Sequence, residues 1–227
     1  MKFIVIGLGY FGSTLAVTLT KQGHEVIGID NNWDKIEEFK DSITHTMSMD
    51  TTNERAVKTL PLDDTDAVIV AIGEDVSSSI LTLAILKNLN VKRIIGRIIS
   101  PIHKSIINQI GIDEVIHPEE EAAYSIISQL HLDMALKVYE FDEYNALAEI
   151  YVPKKYVGHS LDSINAEERF GIKIVAVKVA PKKGGILNFS PKDYVVDYKF
   201  DRMAPLKEKD ILIIAGALPD LRKLNEL

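Results

Sequence analysis

Lys2-Phe3-Ile4-Val5-Ile6-Gly7-Leu8-Gly9-Tyr10-Phe11-Gly12 decides the fold of this chain. The apolar run 2–6 is short enough for a buried strand, and it runs straight into a G-x-G-x-x-G turn. Residues 13–21 then read as a helix that Gly23 stops. Residues 25–29 read as a second strand, closed by Asp30. Strand, glycine turn, helix, strand and acidic end occur in the order of a dinucleotide-binding unit. The three glycines serve different ends. Gly7 permits the tight turn, Gly9 lets a pyrophosphate approach the backbone, and Gly12 lets the helix pack closely on the strand. The free N–H groups and dipole of the helix start attract phosphate charge. Asp30 can accept hydrogen bonds from both ribose hydroxyls and would repel a 2′-phosphate. An adenine-nucleotide site is expected here.

Size and composition limit what can accompany that site. The chain has 227 residues, more than one minimal nucleotide-binding fold, so two domains are expected. A net charge of −7 argues against a nucleic-acid-binding surface, and the absence of cysteine excludes disulfides, thiolate catalysis and cysteine-ligated metals. Lys2 before an apolar run mimics a secretory signal, but Gly7, Gly9 and Gly12 interrupt it. No other apolar stretch approaches the ~18–20 residues that span a bilayer, so a cytosolic protein is expected.

Strands and helices go on alternating and then stop. Strands are expected at 44–49, 67–72, 93–99 and 114–116. Helices are expected at 54–60, 76–89, from Pro101, and at 119–136. Six such β-α units give an α/β, Rossmann-like, doubly wound parallel sheet over residues 1–138. Residues 139–227 read as a small α+β domain. Its strands are expected at 146–152, 172–179, 194–200 and 211–215, with a short helix capped by Ser160 and ended by Gly171. Pro181-Lys182-Lys183-Gly184-Gly185 reads as an exposed hairpin tip.

The catalytic groups are conspicuously few. His24, His45, His103, His117, His131 and His159 are scattered without metal-ligand spacing. His117-Pro118-Glu119 is the exception to hold, because it follows the carboxyl end of a strand, where ligands bind. No Ser-His-Asp or Tyr-x-x-x-Lys constellation stands beside the glycine turn. Binding without evident chemistry suggests a sensor. A small NAD(P)-dependent oxidoreductase shares the first half and stays open as an alternative. A redox-sensing transcription factor would need a basic DNA-binding domain that is not seen.

The glycine turn, Asp30, Asp50-Thr51-Thr52, Val70-Ala71-Ile72-Gly73 and Ile116-His117-Pro118-Glu119 together resemble the TrkA/Ktr regulatory subunits of potassium-uptake systems, the RCK proteins. The resemblance spans the whole chain, with a single unit as in the Ktr type. It implies a cytoplasmic homo-oligomer, an octameric ring of dimers, peripheral at the inner face of the membrane. Such a ring docks on an integral-membrane potassium channel subunit and gates it in response to NAD(H), ATP or ADP. It also implies a cofactor site that begins at Gly7, with phosphates over Gly9, Tyr10, Phe11 and Gly12, ribose on Asp30 with Asn32 and Lys35 nearby, and adenine near Asp50, Thr51, Ile72 and Gly73. Some ATP-responsive relatives carry arginine where this chain has Tyr10, which lacks a guanidinium's bidentate pairing. Arg97, on the fifth strand, could supply charge instead. Glu119 matches a glutamate that in some relatives helps hold a divalent cation between domains. It reads equally as a helix-opening carboxylate. Some relatives bind cyclic di-AMP in the second domain.

Overall fold

Short runs of β-branched residues alternate with helix-forming segments in the first part of the chain, and the fold follows that rhythm. In order come β1 (Lys2–Ile6), α1 (Tyr10–Lys21), β2 (Glu25–Asp30), α2 (Trp33–Phe39), β3 (His45–Ser48) and α3 (Glu54–Val57). A 3-10 turn at Leu62–Asp64 leads into β4 (Ala67–Val70), α4 (Val76–Asn88), β5 (Ile94–Arg97), α5 (Pro101–Ile110), β6 (Val115–Ile116) and α6 (Pro118–His131). The computed structural model describes residues 1–132, 135–180 and 194–226. They divide into two compact units, Met1–Glu119 and Glu120–Leu227.

The first sheet is parallel throughout, in the order β3-β2-β1-β4-β5-β6. This is the doubly wound dinucleotide-binding order, whose direction reverses between β1 and β4. Both faces are covered, which is why β4 is apolar at every position and wholly buried. Val68 and Val70 pack with Ile4, Ile6, Leu83 and Ile107 on one face, while Ala67, Ile69 and Ala71 pack with Val5, Ala16 and Ile36 on the other.

The second unit continues with β7 (Ala135–Glu140), β8 (Asn145–Tyr151), α7 (Leu161–Ile164), α8 (Ala166–Phe170), β9 (Lys173–Val179), β10 (Val195–Asp197), β11 (Ile211–Ala217) and α9 (Leu218–Glu226). Its antiparallel sheet runs β10-β9-β11-β8-β7. Ala148, Ile150, Leu212 and Ile214 form its core with Leu161, Phe170 and Leu221. The Ser160 hydroxyl accepts from the Ser163 N–H as an N-cap, and Gly171 closes α8 in the left-handed region.

Several boundaries depart from the sequence reading. The helix expected over 119–136 ends at His131, and Ala135 and Leu136 belong to β7. Pairing with β8 and burial of Val138 outweigh helical propensity there. The helix expected after Ser160 is broken at Asn165, whose φ of 46° turns the chain between α7 and α8. Helices α2 and α9 are additions to the elements expected from sequence. The strand expected over 194–200 is limited to Val195–Asp197, and the hairpin tip expected at 181–185 lies outside the described residues.

Candidate nucleotide site

Parallel strands put their carboxyl ends on one edge, and the expected site residues gather there. Ile6 of β1 stands level with Ile29 of β2 and Val70 of β4. Gly7, Asp30 and Ala71 therefore emerge side by side at the point where the strand order reverses, the usual ligand crevice of such sheets.

The three glycines of the turn differ in what surrounds them. Gly7 has a φ of 93°, and a Cβ there would meet the Ile72 nitrogen at 2.9 Å. A Cβ on Gly12 would collide with the Gly7 carbonyl oxygen and press on the Ala71 methyl at 3.0 Å. Gly9 has ordinary extended backbone, φ −64° and ψ −177°, and nothing within 4 Å of a Cβ. Gly7 and Gly12 are thus demanded by the protein's own packing, whereas Gly9 borders open space. Gly9 is also the N-cap of α1 and supplies no side-chain cap, so the first-turn N–H groups have no acceptor from it. Ser13 does not reach outward: its hydroxyl donates back to the Gly9 carbonyl at 2.9 Å.

Asp30 is buried, and its carboxylate is already engaged. Oδ2 accepts the Leu8 N–H at 2.7 Å and Oδ1 accepts the Asn32 N–H at 2.9 Å, with Lys35 Nζ at 3.6 Å. Each oxygen keeps a lone pair for a ribose hydroxyl. Asp30 therefore ties the glycine turn to the end of β2, a role hidden from sequence reading because the contact spans 22 positions. Asn32 caps α2 through the Asp34 N–H, which accounts for it without a ligand.

Asp50 and Thr51 follow β3. Asp50 is exposed and accepts the Thr52 hydroxyl at 2.7 Å and the Thr52 N–H at 3.0 Å. These bonds, the hydroxyl's first, hold its carboxyl below the usual range. The Thr51 hydroxyl is buried against that of Thr82 at 2.8 Å, so it serves packing onto α4. Tyr10 is 93 % exposed.

Arg97 closes the crevice on the β5 side. Its guanidinium lies over the Phe11 ring, 5.7 Å from the centroid, donates to the Ala71 carbonyl at 3.4 Å, and pairs with Glu119. It also lies against Gly73, where any side chain would run into it. Burial raises the Glu119 pKa, but its own backbone N–H and Arg97 outweigh that, and the net shift is downward. Among the described residues no group of three potential metal ligands occurs. One carboxylate already held by Arg97 makes no cation cage within a single copy.

The TrkA-N domain family model matches residues 3–118. The chain is 33% identical to Ktr system potassium uptake protein C of Bacillus subtilis, over 99% of this chain and 96% of that protein. It is 29% identical to Ktr system potassium uptake protein A of the same organism, over 99% and 95%. The solved GsuK RCK domain superposes with a TM-score of 0.63 at 16% identity, over all of this chain and 47% of that one, a likeness of fold.

Proposed function

Since the chain belongs to the TrkA-N domain family, we propose that it is a nucleotide-sensing regulatory subunit that gates a potassium-uptake channel. The observation that carries the reading is the contrast among the glycines. Gly7 and Gly12 are packed against backbone, while Gly9 faces open space at the switch point beside Asp30. A pyrophosphate fits over Gly9 and the start of α1, and the ribose fits on Asp30. Adenine lies toward Asp50, Thr51, Ile72 and Gly73, and Arg97, held against Phe11 and the Ala71–Gly73 segment, offers a cation to phosphate. The ligand is NAD(H), ATP or ADP.

The protein acts by binding and not by chemistry, in keeping with its similarity to potassium uptake proteins along its whole length. Among the described residues no helix is long and apolar enough to cross a membrane. The pore on this reading belongs to a separate integral-membrane subunit. We place the protein in the cytoplasm, peripheral at the membrane through that partner. Tyr124, Ile126, Ile127 and Leu130 are exposed along α6, and a second copy of the chain covers them in a homo-oligomer, an octameric ring in its full form.

Gating requires that the ligand bind two ring states with different affinity, because equal affinity shifts nothing. Calorimetry with ADP, ATP and NADH tests the reading. Binding is expected without NADH oxidation over a panel of carbonyl compounds. Sustained NADH oxidation would favour the oxidoreductase alternative, and no binding of any of the three would remove the sensor.

A further inference from the structure

We infer that Arg97 is shared between two anions. Without nucleotide it holds Glu119 in the first turn of α6, and a bound phosphate takes it over and releases that turn. The inference rests on the nucleotide reading above and adds how occupancy leaves the site.

Arg97 is built into the crevice. It ends β5, level with Ile116 of β6, and α6 begins two residues further on. Its guanidinium touches both walls of the switch point, Phe11 on the glycine turn and the Ala71–Gly73 segment after β4. It is also incompletely satisfied. Nε is buried without an acceptor, and the bond to Ala71 is long at 3.4 Å. A phosphate offers several oxygens and bidentate geometry, which a single Glu119 oxygen does not match.

The two partners of the pair lose unequally when it opens. Glu119 is 65 % exposed, so water solvates it once released, whereas Arg97 is 18 % exposed and needs an anion. Exchange toward phosphate is therefore favoured, and the carboxylate acts as a weak built-in competitor. Helix α6 carries the exposed Tyr124, Ile126, Ile127 and Leu130, so its first turn is placed to report occupancy to whatever covers that face. By reciprocity, a partner that holds α6 in one position alters nucleotide affinity by the same factor.

Calorimetry with ADP and with adenosine on wild type, Glu119→Gln, Arg97→Gln and the double variant separates the possibilities. Glu119→Gln is expected to tighten ADP by about 2- to 5-fold, the size of a partly exposed ion pair, and to leave adenosine unchanged. In the Arg97→Gln background the same change is expected to do nothing to ADP. Amide exchange over residues 122–125, whose N–H groups bond the carbonyls of the first turn, should quicken when ADP binds to wild type and should already be fast in Glu119→Gln. The inference is overturned if Glu119→Gln fails to tighten ADP, or tightens it equally without Arg97, or if ADP slows those amides. Wild type that binds neither ADP nor adenosine would instead remove the nucleotide reading itself.

Discussion

Replacing Gly9 by alanine is expected to separate ligand binding from folding, and Gly12→Ala is its control. At Gly9 the backbone angles suit any residue, and a methyl meets nothing within 4 Å. Alanine is a poorer N-cap than glycine by a few tenths of a kcal/mol to about 1, which offsets the ~0.4–1 kcal/mol gained by restricting the unfolded chain. Stability should stay within about 0.5 kcal/mol of wild type. The methyl stands where the pyrophosphate must approach, so binding loses the phosphate's charge-assisted bonds. That costs about 3 kcal/mol, roughly a hundredfold in affinity. At Gly12 the added carbon strikes the Gly7 carbonyl, which belongs to the rigid turn, and the Ala71 methyl at 3.0 Å. Overpacking of that kind costs about 1–3 kcal/mol, or very roughly 5–15 °C for a unit of this size. Thermal unfolding and ADP calorimetry on both variants decide the matter. Gly9→Ala that binds ADP like wild type would refute the placement of the pyrophosphate. Gly9→Ala that unfolds as early as Gly12→Ala would refute the claim that Gly9 is free of packing duty.

Other outcomes follow from the same structure. Tyr10→Arg, at an exposed position opening α1, should strengthen binding of ATP more than of ADP, and equal effects on both would count against phosphate contact from this position. Burial lowers the His103 pKa, and Nδ1 accepts the Ile99 N–H at 3.3 Å while Nε2 has no partner. Below the ordinary value near 6.5 the unfolded chain takes up a proton that the folded one refuses, so stability should fall as pH drops from 6.5 toward the lower folded pKa. His103→Asn should flatten that slope in denaturant titrations, and an unchanged slope would exonerate His103. Light scattering should report an assembly much larger than 25.3 kDa, which Ile126→Asp with Leu130→Asp should dissociate. A wild-type monomer at micromolar concentration would end the ring proposal.

The first unit is legible in the sequence because its signals are local. Apolar runs at 2–6 and 67–70, each followed closely by glycine, fix strands buried on both faces, and the glycine turn fixes the crevice between them. What escapes is either weakly patterned or long-range. Helix α2 buries Ile36 alone, and α9 is mostly polar, with Leu221 and Leu224 as its buried contacts. Strand β7 buries only Val138, and the high helix propensity of leucine, methionine and alanine over 130–136 masks the period-2 alternation of Leu130, Leu132, Met134 and Leu136. The pattern around Asp30 points to a ribose acceptor but not to the anchor of Leu8. Thr51 is expected near adenine but not as the partner of Thr82, and Arg97 is expected as charge but not as the partner of Glu119. Each of these pairs joins residues far apart in the chain, the nearest 22 positions and the farthest 31, separations that no local pattern encodes.

Potassium flux into vesicles that contain the cognate channel tests the central claim most directly. It is measured with and without this protein, and with ADP, ATP or NADH. Flux should depend on the protein, should differ between nucleotides, and should lose that difference with Gly9→Ala. Flux that is indifferent to the protein under every nucleotide condition would contradict the account.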